Sequence, residues 1–199
     1  MLGTVLTIVG IGLAVTATTA YFTQTLPGGL ALLAFIAGFV VLIAINATRA
    51  NEALSLTLFY LFSGLEGIGF GPTIGYYVRA FGPGIVYEAA LTTALGMFGL
   101  AALVYLTGLD LRRFSGWVYG ALIVLVLAGI VSVFTHWFHP AIYAWATLVI
   151  FSFLVLIDFA RIRANETWAT PVQLAVQIYL DAINIFLAVL QLFGMRRRD

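Results

Sequence analysis

Cysteine and lysine are both absent from the chain, and only 9% of its 199 residues carry charge. Without cysteine there is no disulfide, thiolate nucleophile or thiolate metal ligand. Without lysine there is no amine to hold a Schiff base, which excludes a retinal protein. A net charge of +1 gives nucleic acid little to bind, and the basic residues sit at the ends of apolar runs rather than in a patch. No charge precedes Arg49, and none lies between Arg113 and Asp158. Each of those intervals is long enough for two membrane crossings at about 20 residues per span.

What fills the chain is hydrocarbon. With 63% hydrophobic residues and a mean hydropathy of +1.10, a soluble core of this size cannot hide the apolar side chains. The sequence therefore predicts an all-α integral membrane protein, a single membrane domain over residues 1–199. Its spans fall at about 3–23, 29–48, 53–78, 84–107, 116–135, 141–161 and 171–193. The small residues from Ala14 to Ala20 suit a signal-peptide cleavage site, but no Lys or Arg precedes the first span, so it is expected to be retained.

Orientation follows from arginine, which favours cytoplasmic loops. The loops after spans two, four and six carry Arg49, Arg112, Arg113, Arg161 and Arg163, against Arg79 in the others. The amino terminus is expected in the cytoplasm. Seven crossings then put Arg196, Arg197 and Arg198 outside, against the rule, unless the last segment enters and returns. Residues 171–193 are long enough to cross, so a full crossing is expected.

The last two spans each contain one aspartate, Asp158 and Asp181, where lipid excludes charge. An intramembrane carboxylate is costly unless it faces a partner, a cavity or an ion path. In the last span Gln173, Gln177, Asp181, Asn184 and Gln191 fall within roughly 80° of one another on a helix, a stripe that belongs on an internal seam. In the third, Gly64, Gly67, Gly71 and Gly75 make a ridge for close helix packing. Glu66 on that helix and Glu88 near the outer end of the fourth fit either packing and solvation or an ion path, with Glu88 placed to draw cations to an entrance. His136 and His139 amount to half a metal site with no carboxylate nearby, and read better as interfacial residues beside Trp137. Trp117, Trp145 and Trp168 fit interface anchors.

Enzyme readings fare poorly. No serine sits in a nucleophile motif within reach of the histidines. An acid-dyad intramembrane protease needs two aspartates on adjacent helices, but its usual Gly-Asp context is missing, because Asp158 follows Ile157 and Asp181 follows Leu180. The chain is expected not to be an enzyme and to need no cofactor.

The segment Gln177-Ile-Tyr-Leu-Asp-Ala-Ile-Asn-Ile-Phe-Leu, continuing to Leu192-Phe-Gly, resembles the signature of the transmembrane Bax inhibitor motif family. Phe62-Ser-Gly-Leu-Glu-Gly with Gly71-Pro72, Glu88 with Thr92 and Thr93, and Leu156-Ile-Asp158 support it in the same order. The resemblance implies seven transmembrane helices, two three-helix layers around a central carboxy-terminal helix, in a prokaryotic plasma membrane. It also implies a pH-sensitive calcium leak with Asp158 and Asp181 as the sensor and Arg49 as a basic latch. Gln191 stands where relatives carry an arginine, and the second span lacks a glutamate found in at least one relative.

The chemistry stands beside that resemblance. Two carboxylates in a low dielectric cannot both ionise cheaply, so they tend to share a proton and titrate together. Ionised, they are hard ligands that hold Ca²⁺ weakly and transiently, which suits a permeant ion. The expectation is a monomeric, pH-regulated, calcium-permeable leak channel gated by Asp158, Asp181 and Arg49, with Glu66, Glu88, Gln177 and Asn184 as candidate ion-path residues. The alternative is a non-conducting regulator that binds a membrane protease or a cell-death-related partner.

Overall fold

The computed structural model describes residues 1–135, 139–166 and 169–197. Seven α-helices among them are long and apolar enough to cross a membrane. They are α1 (Leu2–Phe22), α2 (Gly28–Ala47), α3 (Glu52–Phe81), α4 (Gly84–Thr107), α5 (Ser115–Thr135), α6 (Pro140–Arg163) and α7 (Pro171–Arg196), with a 3₁₀ turn at Arg112–Phe114 before α5. The described residues include no strand. Large side chains such as Leu32, Phe39, Phe98 and Val124 are exposed on these helices. Such an apolar surface requires a hydrocarbon solvent, and only structures that satisfy their own backbone hydrogen bonds tolerate it. The protein is a multi-pass membrane protein.

The helix ends follow local chemistry. Asn51 caps α3 by accepting from the Leu54 backbone N–H at 3.1 Å, with Glu52 in the first turn. Gly108, at φ +74°, takes the left-handed conformation that follows the end of α4. α7 opens on a capping box: Thr170 Oγ1 accepts from the Gln173 N–H at 3.2 Å, and Gln173 Oε1 accepts from the Thr170 N–H at 3.1 Å. Pro171 follows at the first helical position, where no backbone donor is missed.

The chain divides into two compact units. The first comprises residues 1–83 with 166–179, and in it α3 packs against both α1 and α2. The glycine ridge makes the α1 contact: a Cβ at Gly71 would lie 2.7 Å from the Thr23 carbonyl oxygen, and one at Gly67 would meet the Thr16 backbone. On the other side Gly69 lies against the Phe35 ring, which stacks edge-on with Phe70 at 4.9 Å. Tyr179, fully buried, joins the start of α7 to this layer. Its hydroxyl meets Thr16 Oγ1 at 2.6 Å, and its ring stands edge-on to Phe59 and Phe62.

The second unit comprises residues 84–165 with the part of α7 from Leu180 on, and here α6 packs against both α4 and α5. Arg163 at the end of α6 donates to the carbonyls of Val104 and Gly108, the latter at 2.9 Å, so α4 and α6 stop at the same end. At the opposite end Arg197 donates to both carboxylate oxygens of Glu88 at 2.7 Å. The last turn of α7 therefore lies where α4 begins.

Candidate functional site

α6 carries the charged cluster of the second unit. Asp158 and Arg161 lie three residues apart on one face, and Arg161 Nη1 donates to Asp158 Oδ1 at 3.0 Å and to the Tyr119 hydroxyl at 2.9 Å. The guanidinium also sits 5.6 Å from the centre of the Tyr119 ring, a cation–π distance. These charges are inside the protein: Asp158 is 2% exposed and Arg161 9%. Such a pair persists only because the geometry offsets the desolvation cost.

Asp181, on α7, is 4% exposed, and its carboxylate lies within electrostatic reach of both Asp158 and Arg161. Its Oδ2 is buried without a hydrogen-bond partner among the described residues. Among the described residues the cluster holds two carboxylates against one guanidinium. With both acids ionised it carries one net negative charge, which a proton or a bound cation can neutralise. Two carboxylates bring four oxygens at most, short of the six to eight that a tight calcium site takes. Among the described residues no three His, Asp or Glu side chains converge as metal ligands.

The other candidate residues are divided between the two units. Asn184 lies one turn beyond Asp181 and donates to the Leu180 carbonyl at 2.8 Å. Gln177 is in the first unit, with a buried Oε1 that has no described partner. Gln173, counted by spacing into the polar stripe, is instead engaged in the capping box. Glu66 is half-buried on α3 beside Gly38 of α2, and Tyr179 lies within reach of its charge. Glu88 is exposed and paired to Arg197, so any attraction it has for cations competes with that guanidinium. Arg49 is exposed at the turn after α2. The guanidinium on Asp158 is that of Arg161, which spacing had put among the loop arginines.

His139 caps α6 through Nδ1, which accepts from the Ala141 N–H at 3.3 Å. His136, Trp137, Trp168 and Arg198 lie outside the described residues. In the loop after α4, Asp110 accepts from Arg112 Nε at 2.9 Å and Nη2 at 2.7 Å, and these bonds hold its carboxyl down at about 2.

The sequence matches the family model described as inhibitor of apoptosis-promoting Bax1 over residues 1–198. The chain belongs to the Bax1 inhibitor family. Among its relatives are an uncharacterized protein of Helicobacter pylori strain J99, 29% identical over 164 residues, covering 81% of this chain and 70% of the relative. An uncharacterized membrane protein of Streptococcus pyogenes serotype M1 is 27% identical, covering 78% and 69%. One from Vibrio cholerae serotype O1 is 26% identical, covering 85% and 76%.

Three features of this Bax1 inhibitor family member do not stand out in its sequence. The Asp158–Arg161 pair is readable from i, i+3 spacing on one helix, but Arg161 at a span end looks equally like a topology anchor. The Thr170–Gln173 capping box was available from its T-x-x-Q pattern before an apolar run. The Thr16–Tyr179 contact joins residues 163 apart in the chain and leaves no local signal.

Proposed function

We propose that this protein is a pH-regulated, calcium-permeable leak channel of the prokaryotic plasma membrane, working as a monomer and without a cofactor. Asp158, Asp181 and Arg161 titrate in it as one cluster. The observation that carries the reading is the buried Asp158–Arg161 pair within electrostatic reach of Asp181, whose Oδ2 has no described partner. Among the described residues two carboxylates here face one guanidinium, an excess of negative charge that a proton or a cation can neutralise.

The excess charge couples protons to cations. A proton on Asp181 brings the cluster to neutrality and gives the orphan oxygen a donor to share, whereas the ionised cluster attracts a cation. Two helix packings that differ in their preference for these states suffice for a gate. Binding of the ion is weak by construction, as permeation requires. Arg161 takes the counter-charge role on Asp158, and Arg49 is the basic latch that the family resemblance implies. The amino terminus is cytoplasmic on this reading, and the external basic tail is partly neutralised by Glu88.

The test is calcium flux from sealed vesicles holding the purified protein, measured from pH 5 to 8, about the range in which a shared-proton pair is useful as a switch. Flux without any partner, changing with pH, supports the channel. Absence of flux at every pH, with capture of a membrane protein from the same preparation, would favour the non-conducting regulator.

A further inference from the structure

Between α5, α6 and α7 of the second unit lies a cavity of about 160 Å³. Leu125 and Phe151 form part of its apolar wall, and Tyr143, Thr147, Asn184 and Gln191 bring polar groups to it. Most of that polarity is unspent. Asn184 uses Nδ2 on the Leu180 carbonyl, and Thr147 gives its hydroxyl proton to the Tyr143 carbonyl at 2.9 Å, which leaves the Asn184 amide oxygen and the Thr147 lone pairs. The Tyr143 hydroxyl and the Gln191 amide have no hydrogen-bond partner among the described residues.

A lipid tail in this space would strand four polar side chains in hydrocarbon, each at a cost. Water would satisfy them: it needs two to four polar partners and about 30 Å³ apiece in the liquid, so several molecules fit. The polar wall also leads somewhere. Along α7, Gln191 and Asn184 continue to Asp181 on one face, and Asp181 lies three residues, about 4.5 Å of helix rise, below Asn184. Its Oδ2 is the buried atom in the cluster that lacks a described donor.

We propose that this cavity is a water-filled vestibule through which small cations pass from the end of the bundle where α7 stops, by way of Gln191 and then Asn184, to Asp181. It rests on the leak-channel reading and names the half-path by which ions reach the cluster. Tyr143 and Thr147 form the facing wall, so amide, hydroxyl and phenol oxygens replace part of the ion's hydration before it meets the carboxylate.

The absence of cysteine makes the test clean. Single variants Thr147→Cys, Asn184→Cys and Gln191→Cys, with Val124→Cys on the exposed face of α5 as control, are purified and placed in sealed vesicles. Ag⁺, a cation of alkali-ion size that binds thiolates, is the probe. Its reaction is read as loss of later maleimide labelling in detergent, and separately as block of calcium flux. All three cavity thiols should react at least tenfold faster than Val124→Cys, and Gln191→Cys faster than Asn184→Cys. Thr147→Cys, on a different helix, keeps the test valid if an α7 variant fails to fold.

Cavity thiols no faster than the control, or modified by membrane-soluble N-ethylmaleimide but not by Ag⁺, would overturn the vestibule even if the wild-type protein conducts. Asn184→Cys reacting faster than Gln191→Cys would overturn the assigned entry. Rapid Ag⁺ reaction in a protein that passes no calcium would uphold the hydrated cavity and remove the leak-channel reading.

Discussion

Arg161 sits against Asp158 with its guanidinium also on the Tyr119 hydroxyl, and loss of such a partner leaves a buried carboxylate uncompensated. Arg161→Ala should lower stability by about 3–5 kcal/mol, with most of it restored by adding Asp158→Asn. Thermal unfolding in detergent measures both. Removing a cation beside a carboxylate makes protonation easier, so Arg161→Gln should move the pH midpoint of flux upward, and an electrostatic latch at Arg49 would make Arg49→Gln do the same. Asp110 provides the contrast. Its folded-state value near 2 is below the ordinary carboxylate range, so its pairing with Arg112 is fully present at neutral pH and is lost only as pH falls toward 2. Asp110→Asn should leave the flux midpoint between pH 5 and 8 where it is. The aspartates were legible because charge in an apolar run is conspicuous. Their counter-ion was not, because loop arginines and helix-end arginines look alike until the last turn of α6 is placed.

At the scale of the helix, the spans were legible to within a few residues, since hydrocarbon thickness sets their length. α3 runs longer than expected, to Phe81, where Gly82 at φ +81° ends it by donating to the Val78 carbonyl, and α7 runs to Arg196. The glycine ridge of α3 was legible by spacing, and its contacts bear out the packing reading. It differs from the glycines of α4: a Cβ at Gly96 or Gly99 meets nothing within 4 Å. Gly67→Ala should cost about 1–3 kcal/mol through overpacking against α1. Gly99→Ala should be neutral or stabilising by up to about 1 kcal/mol, as helix propensity allows. Chemical or thermal unfolding of the two variants side by side checks the difference. Along the polar stripe of α7, Gln173 serves the helix cap, while Gln177 Oε1 and Asp181 Oδ2 are buried without a described partner.

For the whole molecule, the pairing of Glu88 with Arg197 bears on topology more than on stability, since an exposed ion pair contributes about 1 kcal/mol or less. It brings the end of α7 to the start of α4. In the cysteine-free chain, Glu88→Cys with Arg197→Cys should cross-link under mild oxidation, and both thiols should label from the same side of sealed vesicles. Labelling from opposite sides would contradict a full crossing by α7. Contacts of this kind, between residues more than 100 apart, were beyond the reach of periodicity. The proposed gate requires the two aspartates to act as one unit. Calcium flux across pH, measured for wild type, Asp158→Asn, Asp181→Asn and the double variant at equal protein in sealed vesicles, tests this most directly. Each single change should alter the pH dependence and the double should add little to either; effects that sum, or a pH response untouched by both, would contradict it.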